Sequence, residues 1–205
     1  VGGPAVTRWW WVRHAPVIAT PGTIAGRLDL PADLSDEAAF YALAARLPAA
    51  AVWLATPLSR TRDTARRLQA AMGGVGPVEA VPGLLEQDFG AWQGRTHGEL
   101  ADDPAVAGFW RDPALNAPPG GESFADLARR SAEAIRILTS RHAGRDIVMV
   151  GHAGPIRAAI GLALDLTPTR MLALGVDCLH LTRLDHIADG GDGFWRVGQV
   201  NAPPC

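Results

Sequence analysis

The stretch Trp9-Trp10-Trp11-Val12-Arg13-His14-Ala15-Pro16 constrains this chain most. Three tryptophans and a valine in a row suit a buried strand. The run stops at a guanidinium and an imidazole, and Pro16 then turns the chain away. Open α/β sheets place ligands beyond the carboxyl ends of their strands, so Arg13 and His14 stand where a site would be. An Arg-His pair after a strand also begins many solvated loops, and on this stretch alone both readings stay open.

The same event occurs a second time. Ile147-Val148-Met149-Val150 is wholly apolar and ends at Gly151-His152-Ala153-Gly154-Pro155, with Pro155 placed to start a helix. If the two strands are parallel neighbours, His14 and His152 meet at one end of a sheet. Between them the pattern alternates helices with short strands, which is the signature of an α/β fold.

A helix is expected from about Ser35 to Arg46, with Ser35 as N-cap and Asp36 and Glu37 in its first turn, and Pro48 beyond its end. Ala51 to Ala55 reads as a central strand. Thr56-Pro57 then supplies a hydroxyl cap and an N1 proline for a helix running through Met72 to Gly73-Gly74. Leu58, Ala65, Leu68 and Met72 share one face of it. Arg60 lies about 200° around from Leu58 and so points away from that core face. A strand over Val78 to Val81 leads to a loop from Leu85 to Gly94. The Pro- and Gly-bearing excursion from Ala101 to Gly121 leaves the sheet as a lid.

The longest helix opens at Ser123, which forms a capping box with Asp126. Phe124, Leu127, Ala128, Ile135 and Leu138 make its buried stripe, Arg129, Arg130, Glu133 and Arg136 face water, and Gly144 closes it. Cys178 to Leu184 and Phe194 to Val200 read as strands that add antiparallel edges to a mixed sheet.

Composition sets the frame for this pattern. A length of 205 residues suits one domain over 1–205, with a lid-like insertion at about 95–121. The 48% apolar and 20% charged residues are an ordinary globular balance, and a net charge of -2 gives no general reason to bind nucleic acid. Cys178 and Cys205 are too few for a disulfide framework and point to a reducing cytoplasm. No signal-peptide pattern or membrane-length apolar run is present, so no membrane partner is expected.

Two guanidiniums, Arg13 and Arg60, two imidazoles and a helix N-terminus at Gly154-Pro155 together describe a pocket for a phosphoryl group. No Gly-rich lysine loop follows a strand, which leaves P-loop nucleotide binding unsupported. The histidines lack metal-ligand spacing, so neither metal nor other cofactor is expected. Ala153 stands where a nucleophile elbow would need serine.

In chain order these residues resemble the histidine phosphatase superfamily, also called phosphoglycerate mutase-like. Arg13-His14-Ala15 resembles its Arg-His-Gly signature. Thr56-Pro57-Leu58-Ser59-Arg60-Thr61 with Thr64-Ala65 resembles its Ser-Pro-Leu-x-Arg-Ala-x-x-Thr-Ala segment. Leu85-Glu86 with Phe89-Gly90-Ala91-Trp92-Gln93-Gly94, then Pro119-Gly120-Gly121-Glu122-Ser123 and Gly151-His152-Ala153-Gly154, complete the set. The resemblance implies a three-layer αβα sandwich with a mostly parallel mixed sheet.

It also implies a covalent mechanism. His14 would attack phosphorus through one ring nitrogen while a backbone carbonyl holds the other. Arg13, Arg60 and His152 would bind the transferred phosphate. Glu86 would protonate the leaving oxygen, the phosphate anion favouring its protonated form, with Asp88 and Glu122 as competing acids. The implied partner is a small-molecule phosphomonoester, and a homodimer is left open. Phe89 and Trp92 are read as packing, and Arg27, Asp29, Trp110 and Arg157 as structural or peripheral.

Ala15-Pro16-Val17-Ile18-Ala19-Thr20 departs from the mutase pattern, in which an acid or Gln, a hydroxyl residue and Trp-Asn follow the signature. Hydrolysis is therefore expected. The Arg-His-Ala-Pro opening, the Phe-Gly-x-Trp loop and Pro-Pro-Gly-Gly-Glu-Ser resemble α-ribazole phosphatase-type members, which makes α-ribazole 5'-phosphate the leading substrate expectation. Mutase-type transfer and a non-catalytic phosphate-binding module are the alternatives.

Overall fold

A computed structural model describes residues 4–204. Cys205, counted above, lies outside the described residues.

The centre is a six-stranded sheet in the order β3-β2-β4-β1-β5-β6. The strands are β1 (Val6–Arg13), β2 (Val52–Ala55), β3 (Glu79–Ala80), β4 (Asp146–Gly151), β5 (Leu181–Ile187) and β6 (Phe194–Ala202). β3, β2, β4 and β1 run parallel, while β5 and β6 are antiparallel additions beyond β1. The mostly parallel mixed sheet is as expected, except that β5 lies inside the sheet and only β6 forms that edge.

Alternation along β1 divides the core into two layers. Trp9 and Trp11 point to one face, where they stack with ring centroids 5.0 Å apart against α4 (Phe124–Arg141) and α5 (Ala153–Leu164). Val12, with Trp10 packed alongside, faces α1 (Glu37–Ala44) and α2 (Ser59–Ala71). Helices thus cover both faces, giving the expected three-layer αβα sandwich. The polar edges of the first two indoles are satisfied: Trp9 Nε1 donates to Thr139 Oγ1 at 3.0 Å and Trp10 Nε1 to Asp146 Oδ1 at 2.9 Å.

Several boundaries differ from the sequence expectation, each for a local reason. α1 is capped by Asp36, whose carboxylate accepts from Ala39 N at 3.0 Å, so Ser35 lies outside the helix. Thr56-Pro57 does not open α2, which begins at Ser59. The Thr56 hydroxyl is engaged by Thr61 and His152 instead, and the Asp29 carboxylate, from a distant loop, accepts from Ser59 N at 2.6 Å. β5 starts three residues later than expected because residues 177–180 turn, with Leu179 at φ +60° and its N–H donated to Arg13 O. The Val78 to Val81 strand shrinks to two exposed residues.

The capping box at Ser123 and Asp126 and the buried stripe of α4 are as expected. Arg130 is not: it turns inward, and its partners are described below. Among the described residues no helix is long and apolar enough to cross a membrane.

Candidate active site

The parallel register places the reactive groups. Arg13 on β1 pairs with Gly151 on β4, so both strands finish at one level, and His14 N donates to Gly151 O at 3.0 Å. β2, on the other side of β4, ends there too and delivers Thr56. His14 and His152 consequently meet edge to face with ring centroids 5.2 Å apart.

His14 is 5% exposed and its orientation is fixed. Its Nδ1 lies 2.6 Å from Ala15 O, a pure acceptor, so Nδ1 carries the proton and Nε2 keeps its lone pair. Burial, opposed by that hydrogen bond and reinforced by the Arg60 and Arg13 charges, lowers the His14 pKa to about 3. The imidazole is therefore neutral at any ordinary working pH, as a nucleophile must be.

Arg60 is 1% exposed rather than at the surface. It does turn away from the apolar face of α2, as the helical spacing implies, but the loop after β1 closes over it. Its Nη1 donates to Leu28 O and its Nη2 to Gly26 O at 2.6 Å. Arg13 Nη1 donates to Val176 O at 2.6 Å. Each guanidinium is thus anchored by terminal nitrogens on main-chain carbonyls, while Arg13 Nε and Arg60 Nε are buried without a partner. His152 Nδ1 is likewise buried and unpartnered, and its Nε2 lies 2.9 Å from Thr56 Oγ1. Among the described residues three of the six buried side-chain atoms without a partner thus cluster here, beside two guanidinium charges, an arrangement that suits an anion. Burial, followed by coupling to the His14 ring and the charges of Arg60, Arg13 and Arg130, pushes His152 well below its ordinary pKa.

α5 starts at Ala153, with His152 as N-cap, two residues before the expected start at Pro155. Its first turn does not stand open. Gly154 N donates to the Glu86 carboxylate at 3.1 Å, and a side chain at Gly154 would collide with that carboxylate and with Leu127. Glu86 also accepts from Gln87 N at 3.0 Å. Arg13, His14, Arg60 and Glu86 border one cavity of about 640 Å³, with Gly154 and Arg157 at its side. His152 is fully buried behind His14 and does not border it.

The competing acids are otherwise occupied. Glu122 accepts from Arg130 and Arg27 and from Asp88 N, and Asp88 accepts from Gly90 N at 2.8 Å. Neither borders the cavity, which leaves Glu86 as its acid.

Most of the remaining cavity wall is apolar and comes from loops and short helical segments, with Thr23, Gln87 and His97 as polar members. Trp92, Leu100 and Phe109 form a small core of their own, with Ile24, Phe89 and Val106 packed against it. α3 (Pro104–Phe109), inside the 95–121 excursion, carries Phe109 edge-on to Trp92 at 5.3 Å, and Trp110 continues the series at 60% exposure. Phe89 and Trp92 are packing residues, as read from the sequence, but they also line the cavity, as do Trp110 and Arg157. The peripheral reading of the last two is corrected. Spacing could have flagged Arg157, which lies one helical turn after Gly154. Among the described residues no group of three or more His, Cys, Asp or Glu could hold a metal ion.

Comparison with known proteins places the fold among phosphatases and their relatives. Residues 9–201 match the model of the histidine phosphatase superfamily (branch 1). A glucosyl-3-phosphoglycerate phosphatase of Mycolicibacterium vanbaalenii is 36% identical over 224 aligned residues, covering 96% of this chain and 95% of that protein. A bifunctional protein of Mycobacterium tuberculosis is 36% identical over 157 residues, covering 76% of this chain but 43% of its own length, so the chain spans less than half of that relative. The solved α-ribazole phosphatase of Shigella flexneri superposes with a TM-score of 0.80 at 23% identity, covering 95% of this chain and 96% of that one, which is a likeness of fold.

Proposed function

The chain belongs to the histidine phosphatase superfamily, and we propose that it hydrolyses small phosphomonoesters through a phosphohistidine at His14. The observation that carries this reading is the pairing of a neutral imidazole, held by Ala15 O with its Nε2 lone pair free, with a cluster of orphaned buried donors on Arg13 and Arg60. A site that only bound phosphate would have no use for the tautomer lock or for an acid beside it.

In the first step His14 Nε2 forms a bond to phosphorus as the ester P–O bond breaks, and Glu86 gives its proton to the departing alkoxide. In the second, water attacks phosphorus, Glu86 takes a proton from it, and the N–P bond breaks to release phosphate. Arg13 and Arg60 balance the charge of the transferred group, and their work is positioning and electrostatics. His152 supports them from behind His14, its Nδ1 being the third orphan of the cluster.

The substrate is a phosphorylated metabolite whose alcohol fits the apolar half of the cavity, with the 95–121 segment as its cover. Two candidates compete. The mycobacterial relative named above supports glucosyl-3-phosphoglycerate. The aromatic wall of Phe89, Trp92, Phe109 and Trp110 favours an aromatic-base nucleotide such as α-ribazole 5'-phosphate. Specificity constants measured on both esters and on 3-phosphoglycerate, with and without a bisphosphate primer, test the proposal. Phosphate release from at least one ester is expected. Efficient primer-dependent isomerisation of phosphoglycerate, with no net hydrolysis, would replace the phosphatase reading by a mutase one.

A further inference from the structure

Glu86 is placed through main-chain groups. Its carboxylate hydrogen-bonds to two main-chain N–H groups, Gln87 N and Gly154 N, and among the described residues no side chain holds it. Where that carboxylate stands over the cavity is therefore set by the start of α5 and by where residues 85–88 are held.

Two arginines hold them. Arg27 Nε donates to Glu86 O at 3.2 Å and Arg130 Nη2 donates to the same oxygen at 3.0 Å. They come from different places, the loop after β1 and the second turn of α4, and both are bound by one carboxylate. Glu122 Oε1 accepts from Arg27 Nη2 at 2.9 Å and from Arg130 Nη2 at 2.6 Å, and its Oε2 accepts from Arg130 Nε at 3.0 Å. Arg130 Nη1 ends on Gly83 O at 3.0 Å.

Glu122 reaches the 85–88 segment directly as well. Its Oε1 accepts from Asp88 N at 3.0 Å, its N–H donates to Asp88 O at 2.9 Å, and its carbonyl accepts from Gln87 Nε2 at 3.0 Å. The fit is tight at the backbone level, since a side chain at Gly121 would strike Asp88 O and one at Gly90 would strike the Pro119–Gly121 main chain. Burial alone would raise the Glu122 pKa. The hydrogen bonds from Arg130 and Asp88 N and the charges of Arg130 and Arg27 outweigh it, holding the group below the usual carboxylate range and keeping it an anion.

A half-buried carboxylate shared by two guanidiniums is weak evidence for stability, because desolvation offsets much of the attraction. What distinguishes this one is convergence: both cations spend a donor on the carbonyl of the residue that carries the acid. We infer that Glu122 is a positioning residue for proton transfer, acting through Arg27 and Arg130 to fix the Glu86 main chain and hence the Glu86 carboxylate. This rests on Glu86 being the proton donor proposed above.

The test uses leaving groups that differ in their need for a proton. kcat/KM is measured for 4-nitrophenyl phosphate and for 2-phenylethyl phosphate in wild type, Glu86→Gln, Glu122→Gln and Arg27→Gln. Loss of a general acid costs about 100-fold or more where the leaving group is an alkoxide and far less where it is a nitrophenolate. Glu86→Gln should show that split. Glu122→Gln should show the same split at about tenfold on the alkyl ester, the scale at which supporting partners act, and Arg27→Gln a smaller version of it.

Equal losses on both esters in Glu122→Gln, with Glu86→Gln still discriminating, would overturn the inference. Equal losses in Glu86→Gln would instead overturn the assignment of Glu86 as donor. If circular dichroism shows Glu122→Gln to be unfolded, Arg27→Gln decides by the same criterion, since a third of its side chain is in solvent and it has less to lose on folding.

Discussion

The two ends of the cavity are built by different means. At the end proposed to take the phosphate, Arg13 and His14 sit where β1 finishes, His152 lies behind them where β4 finishes, and Arg60 enters from the first turn of a helix; three of the four are at most 5% exposed. At the other end, Phe89, Trp92 and Phe109 come from loops and one short helix, packed into a satellite cluster separate from the two sheet cores, with the exposed Trp110 ring against Phe109. The sheet end has one geometry available to it, because moving a strand end means breaking ladder bonds. The loop end can change its lining without disturbing the sheet. On the proposed mechanism the chemistry falls to the sheet end and substrate choice to the loop end, with Glu86 held between them by the Glu122 clamp.

Substitutions can break that division. The largest effect should come from Arg60→Ala, which removes the anchored donor at the sheet end and leaves Leu28 O and Gly26 O without partners. A loss of about 10²–10³-fold in kcat/KM is expected on every ester tried, as when a preorganised donor is removed from a transition state. A loss confined to bulky esters would erase the distinction between the ends. Phe109→Ala should behave in the opposite way. It truncates the ring packed edge-on to Trp92, and is expected to raise KM about tenfold for large-alcohol esters while kcat and the activity on small esters stay within about threefold. An equal fall in kcat for all esters would show that the aromatic cluster serves the chemistry.

These expectations bear on what could be read from residues alone. The sheet end was legible because its evidence is local: an apolar run that stops at His14, another that stops at His152, and the positions of Arg13, Arg60 and Glu86 relative to named motifs. The sandwich, the capping box and the α4 stripe follow from periodicity in the same way. What escaped is non-local. Arg130 falls on the outward side of α4 by helical spacing, but Glu122 and Glu86 O, 8 and 44 residues away in sequence, draw it inward. Thr56 has the look of a helix cap, and its hydroxyl went to a histidine 96 residues on. Asp29 caps α2 from 30 residues upstream. Nothing nearby in the chain marks Trp110 as a wall of a cavity that only the folded loops enclose, and Arg157 carries no more than its helical spacing from Gly154.

A smaller and subtler effect concerns protonation at the sheet end. Both histidines are held below the ordinary imidazole pKa, with His14 at about 3. Imidazole resonances of His14 and His152, followed by NMR from pH 8 to 5, should not titrate; a midpoint near 6.5 for either would contradict the burial and charge account. The sign for stability follows. Because His14 binds its proton more readily in the unfolded chain, its contribution to folding is fully present above about pH 6.5 and is lost as pH falls toward 3. Denaturant midpoints should therefore decline over that window, and decline less in His14→Gln.

The most direct measurement is a rapid acid-free quench of the enzyme mixed with a labelled phosphomonoester, followed by mapping of the label by mass spectrometry. An acid-labile, base-stable phosphoryl group on His14, formed at a rate no slower than turnover and absent from His14→Gln, is the expected result. Turnover without such an adduct, or with the label on any other residue, would contradict His14 as the nucleophile.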